Sequence, residues 1–225
     1  MSGSDGSGQG RCHVAAIAGG RRAPARERIL AAATAEFLER GFADASLRPI
    51  AAAAGVTTGA IYGHFTSKAG LFDAIVEEPA EELYARYAAS QEAFYDKPLE
   101  DQSFEAMQRT EDELAAELYG FISDHRDAFL LVLTRAAGTR WEGYLDRFAA
   151  IETESTARYV REMGAKGVRV KPIPEPMART LARQFFAGFF QPLVLGLDLD
   201  EALAFVADYS AFYHAGYAAL MEPQA

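Results

Sequence analysis

Residues 46–72 read SLRPIAAAAGVTTGAIYGHFTSKAGLF, and this stretch decides the fold. Ala51, Ala52, Ala53 and Ala54 carry so little side-chain bulk that another helix packs closely against them. Gly55 suits the left-handed backbone that ends a helix. Val56 plugs the corner that follows, and Thr57 and Thr58 can cap the next helix by accepting from its free amides. Ser46 caps the first of the pair, with Pro49 in its first turn, where a missing N–H costs little. Two short helices joined by a Gly-Val-Thr-Thr turn form a helix-turn-helix, whose second helix enters the major groove of DNA.

Working outward, helical periodicity dominates and strand signals are almost absent. Ile29, Leu30, Ala33, Phe37 and Leu38 share one face of a helix over Ala25 to Arg40, and Gly41 stops it. The helix after the turn spans Thr58 to Phe65. Ser67 caps a fourth that starts at Lys68 and runs towards Phe94, where Pro79 is expected to kink or interrupt it. Asp96 to Ser103 is a connector. Further helices are predicted near Phe104–His125, Asp127–Ala137, Trp141–Lys166, Glu175–Leu197 and Leu199–Met221, with Asp198 and Glu201 forming a capping box. The predicted fold class is all-α, about nine helices, with an N-terminal three-helix helix-turn-helix domain and a C-terminal helical bundle.

Composition sets the limits. The chain has 225 residues and a formal net charge of −10, which looks wrong for a nucleic-acid binder until it is mapped. Residues 11–70 hold eight Lys and Arg against four Asp and Glu, whereas residues 71–225 hold fourteen against twenty-seven. The basic footprint lies on the helix-turn-helix. No apolar run approaches ~18 residues, so no membrane span or membrane partner is expected. The single cysteine, Cys12, forms no internal disulfide, which fits a reducing cytoplasm. Residues 1–24 read as a disordered basic arm carrying Arg11, Arg21 and Arg22. It is either a solvated tail or an extra contact to phosphate or minor groove. The expected division is 25–70 for the helix-turn-helix DNA-binding domain and 71–225 for a helical domain whose expected roles, ligand binding and dimerisation, follow from the family resemblance given next.

The segment from Arg26 to Phe72 resembles the DNA-binding domain of the TetR family of bacterial transcriptional regulators. The resemblance rests on an ordered set: residues 28–33 (RILAAA), 37–42 (FLERGF), 50–56 (IAAAAGV), 59–65 (GAIYGHF) and 67–72 (SKAGLF). It implies that the third helix reads DNA. Thr57, Thr58, Tyr62, His64 and Lys68 then match contacting positions, with Ser46 and Arg48 as further candidates. Tyr62 suits a phosphate or sugar, or is partly core. His64 contacts DNA or braces the turn. Lys68 at a helix start suits a phosphate. The reading helix lacks Arg, Asn and Gln, the usual bidentate base readers, and has Gly63 where many relatives carry a longer side chain.

The last two helices are apolar beyond what one buried face needs. Phe186, Phe189, Phe190 and Val194 on one, and Phe205, Tyr209, Phe212 and Tyr213 on the next, are the candidate homodimer interface. A two-fold dimer also matches the family and the half-site spacing of about 34–36 Å in a palindrome. The middle helices mix aromatics with isolated polar groups: Phe104, Met107, Phe121, His125, Phe129, Trp141, Tyr144, Phe148 and Gln184. These are either an ordinary core or the walls of a small-molecule pocket.

Residue chemistry excludes much else. There is no phosphate-cradling Gly loop, no metal-ligand spacing and no nucleophile motif, so neither catalytic residues nor a cofactor or metal is expected. The expected function is a ligand-responsive regulator, most simply a repressor released from a palindromic operator by a small, largely apolar effector. An activator of the same family is the alternative, and an all-helical enzyme the remote one.

Overall fold

The computed structural model describes residues 23–98 and 103–222. Among these residues the regular structure is helical: α1 (Ala25–Asp44), α2 (Leu47–Ala54), α3 (Thr58–His64), α4 (Lys68–Tyr95), α5 (Phe104–Asp124), α6 (Arg126–Thr134), α7 (Tyr144–Ala165), α8 (Glu175–Phe189), α9 (Gln191–Leu195) and α10 (Leu199–Met221). The helix expected over Glu175–Leu197 breaks at Phe190, and Pro192 opens the five-residue α9. Part of the expected 96–103 connector and the whole arm up to residue 22 lie outside the described residues.

Local chemistry explains the N-terminal corner. Ile29, Ala33 and Phe37 recur at i, i+4 and i+8 and are buried along α1. Gly41, at φ +75°, breaks the helical path before its last few residues. Gly55 closes α2 at φ +63°, ψ +43°, and the Thr57 hydroxyl accepts from the Ala60 amide at 3.1 Å to cap α3. Ser67 caps α4 in the same manner through the Gly70 amide at 2.9 Å. Ser46 does not cap α2 with its side chain; its own amide donates to the Glu36 carboxylate at 3.2 Å.

Pro79 does not interrupt α4, which runs unbroken for 28 residues. Packing outweighs the lost amide: Val76, Pro79, Ala80 and Leu83 are all buried there. The N-terminus of α7 also clasps this segment. The Tyr144 hydroxyl donates to the Ala80 carbonyl at 2.7 Å, and Arg147 forms a two-pronged pair with Glu81 at 2.8 Å. The capping box of α10 is present in both directions between Asp198 and Glu201.

One hydrophobic core runs from Ile29 of α1 through Leu71, Phe72 and Val76 of α4 to Phe148 of α7, Phe186 of α8 and Val206 of α10. Helix α4 therefore belongs to both ends of this core, with Leu71, Phe72 and Val76 near its start and Leu83 and Tyr87 farther along. A second joint lies at the end of α1. The Phe42 amide, released by the break at Gly41, donates to the Arg135 carbonyl after α6 at 2.9 Å. Beside it, Asp73 of α4 accepts from the Trp141 indole at 2.8 Å and from Arg140 at 3.2 Å. Among the described residues no helix is long and apolar enough to cross a membrane.

Candidate nucleic-acid interface and interior cavity

On α3, Ile61 is fully buried and fixes which way the helix faces. At 100° per residue, the positions opposite Ile61 are Gly59 and Gly63, one turn apart, flanked by Tyr62. Tyr62 is 58 % exposed, and a Cβ at Gly63 would meet nothing within 4 Å. The outward face of the candidate reading helix is therefore bare backbone beside one projecting ring. Such a face permits close approach to a duplex and offers hydroxyl and backbone contacts, where longer side chains would read bases bidentately.

Of the other residues named from sequence, Ser46, Arg48, Thr57 and His64 are exposed and Thr58 is half-buried. The Thr57 hydroxyl already caps α3, so it positions the helix. Lys68, expected from sequence to face a phosphate, is held by carbonyls of its own chain. Its ammonium donates to the carbonyls of Phe42 at 2.6 Å, Ala43 at 3.2 Å and Ala45 at 3.0 Å, and it lies 4.5 Å from the Phe42 ring centroid. Three protons meet three acceptors, so within this structure the charge closes the end of α1. Arg28 makes a similar brace, with Nε on the Ala54 carbonyl at 2.9 Å, tying α1 to the end of α2.

The bundle holds a narrow cavity of about 70 Å³. Leu83 and Tyr87 of α4, Leu118 of α5 and Phe186 of α8 supply part of its wall. One stripe of α7 lines it over about three turns: Phe148, Glu152, Ser155, Thr156 and Tyr159. Ser210, Tyr213, His214 and Tyr217 approach from α10. A surface depression shares Tyr159 and Met221 with it.

Among the pocket residues expected from sequence, Phe148 lines this cavity. Trp141 and Tyr144 turn towards α4, where Asp73 and the Ala80 carbonyl hold them, and burial raises the Tyr144 hydroxyl pKa far above its usual range. Phe129 is core, and Phe121 stacks near His125 at 4.4 Å outside the cavity. Gln184 is exposed, its carbonyl accepting from Tyr209 at 2.8 Å. The side chains of Phe104 and Met107 lie outside the described residues. The α7 stripe was missed, although its signal was present: Phe148, Glu152, Ser155 and Tyr159 recur at helical spacing in phase with a buried face.

The proposed interface residues also divide. Phe186, Phe189 and Phe190 are buried within the chain, packed against Tyr87, Tyr119 and Phe148, so they are core and not contact surface. Phe205, Tyr209 and Tyr213 are half-buried, with Tyr209 stacked 5.9 Å from both Phe185 and Phe205. Phe212 is 73 % exposed, and Val194, Leu195 and Leu199 are exposed with it.

Comparison with known proteins places this geometry. Residues 29–75 match the family of bacterial regulatory proteins, tetR family. The chain is 26 % identical over 178 residues to the HTH-type transcriptional repressor KstR2 of Rhodococcus jostii, covering 72 % of this chain and 87 % of that protein. It is 46 % identical over 69 residues to the repressor BepR of Brucella suis, covering 29 % of this chain and 33 % of BepR. The fold is also that of SmeT, the repressor of the Stenotrophomonas maltophilia multidrug efflux pump SmeDEF. That likeness has a TM-score of 0.55 at 20 % identity and covers 89 % of this chain and 97 % of SmeT. A matched helix-turn-helix, repressors among its relatives and a shared whole-chain fold agree: residues 29–75 match the tetR family of bacterial regulatory proteins, and the rest of the chain is similar in fold to a repressor.

Proposed function

We propose that the chain is a dimeric transcriptional repressor that leaves a palindromic operator when a small, mainly apolar molecule enters the α4–α5–α7–α8–α10 cavity. The observation that carries this reading is the double membership of α4. Lys68 at its start closes the reading domain, while Leu83 and Tyr87 farther along line the cavity. A ligand that favours a different position of α4 therefore shifts the spacing of paired α3 helices, which is the differential affinity such coupling requires.

Two copies are needed because one seven-residue reading helix spans only one half-site. The exposed apolar residues Val194, Leu195 and Leu199, and Phe212 farther along α10, supply the contact for a two-fold partner. Tyr62, His64, Arg48 and Ser46 are the proposed DNA contacts, with Thr57 and Thr58 orienting the helix start. An activator would share this geometry; the position of the operator relative to the promoter separates the two.

A mobility-shift titration with the DNA upstream of the chain's own gene, alongside an elution volume, tests the reading. A dimer-sized species that retards this DNA and not a scrambled duplex supports it. A monomer, or equal retardation of both duplexes, contradicts it.

A further inference from the structure

Two buried hydroxyls line the cavity, one from α7 and one from α10. Thr156 is 8 % exposed and Ser210 is 3 % exposed. A helical threonine commonly satisfies its hydroxyl by donating to the carbonyl four residues back. Thr34, Thr110, Thr134, Thr153 and Thr180 all do so, at 2.6–3.0 Å. Among the described residues no group hydrogen-bonds the Thr156 or the Ser210 hydroxyl. Neither oxygen is sealed in packing, so each keeps surface open to the cavity. Buried hydroxyls left unmet are costly, so the pair favours whatever brings an oxygen to it.

Other polar groups on this wall are already engaged. Glu152 accepts from the Tyr87 hydroxyl at 2.7 Å, and Ser155 donates to the Gln91 side chain at 2.9 Å. Tyr159, His214 and Tyr217 also interact with neighbouring groups. A charged headgroup finds ionisable partners here only by competing with interactions they already make. An uncharged oxygen needs only the two open hydroxyls, each able to donate. Phe148, Phe185, Phe186 and Phe189 offer an apolar wall to the remainder of such a molecule.

We propose that the cavity takes an uncharged, mainly apolar molecule carrying one hydrogen-bond-accepting oxygen, a ketone or alcohol, held by Thr156 and Ser210. This adds a polar anchor to the apolar effector expected from sequence. It rests on the reading of the cavity as the effector site, and the two are separable by experiment.

The test uses the intact chain and three probes with one body. These are para-butylacetophenone, para-butyl-α-methylstyrene, in which a methylidene carbon replaces the carbonyl oxygen, and para-butylbenzoate. Calorimetry measures each against the wild type and the double variant Thr156→Val, Ser210→Ala. The wild type is expected to bind the ketone at least about fivefold more tightly than the alkene or the benzoate. The variant loses most of the preference for ketone over alkene and binds the alkene no more weakly than the wild type. Because the variant deletes hydroxyls that nothing in the chain meets, it melts no lower than the wild type. A clearly lower melting temperature assigns the hydroxyls to the chain's own packing and overturns the proposal. Tightest binding of the benzoate, equal binding of ketone and alkene, a preference that survives in the variant, or no binding of any probe also overturns it. Hydroxyl-dependent ketone binding that leaves the mobility shift unaltered keeps the oxygen site but removes its role as effector site. Release of DNA by ketone and alkene alike keeps the effector site and overturns the oxygen site.

Discussion

The Lys68 ammonium donates to the Phe42 carbonyl at 2.6 Å, so the first residue of α4 closes the end of α1. The Phe42 amide in turn reaches the Arg135 carbonyl at 2.9 Å. One residue is thus held from the reading domain on one side and from the bundle on the other. A break in α1 at Gly41 makes both bonds geometrically available, because it turns the Phe42 peptide out of the helical ladder.

Lys68→Ala is expected to destabilise the chain by about 1–3 kcal/mol, because it strips a charged donor from three carbonyls. Urea denaturation measures this loss. The salt dependence of DNA binding should change by less than the one unit that a lost phosphate contact gives. A full unit with unchanged stability would return Lys68 to the phosphate backbone.

Gly63→Ala separates fold from reading. Nothing lies within 4 Å of the added Cβ, so the variant should gain about 0.5–1 kcal/mol from helix propensity. Its DNA affinity should fall, because the methyl stands on the face opposite Ile61. Thermal melts and anisotropy titrations on one preparation test both halves of the expectation.

Phe212→Ser tests the dimer. An exposed phenyl contributes little to the folded monomer, so helix content and melting at low concentration should barely change. Sedimentation should then show a shift towards monomer. A dimer of unchanged strength would move the contact away from this part of α10.

Acid sensitivity should localise partly to Glu81. Its hydrogen bonds from Arg147 hold its carboxyl below the usual 4.5, outweighing the opposing effect of burial. The folded value is the lower one, so the stabilisation is complete above the unfolded value and disappears as pH falls through the folded value. Both side chains are partly open to water, so the effect is at most about 1 kcal/mol. Glu81→Gln should flatten the stability profile below about pH 5 and leave its alkaline side unchanged.

The helix-turn-helix was legible because its signals are local. Gly55, Thr57 and Ser67 act within a few residues of themselves, and each adopts the geometry that its side chain favours. The brace made by Lys68 was not legible, because sequence displays a charge without displaying what accepts its protons. Phe186, Phe189 and Phe190 were misassigned because an aromatic run looks alike whether it faces its own bundle or a second copy. Phe148 and Glu152 share a stripe, yet only three-dimensional closure by α4 and α10 makes that stripe a cavity wall. Pro79 shows the same limit from another side, since burial around it maintains a helix that local propensity alone would break.

The outward face of α3 is proposed to make this chain a sequence-specific DNA binder. Fluorescence anisotropy of the labelled upstream duplex, with wild type compared against Tyr62→Ala, tests it most directly. The account predicts salt-sensitive binding that prefers this duplex to a scrambled one, weakened at least about tenfold in the variant without loss of stability. Equal affinity of wild type and variant for both duplexes would contradict it.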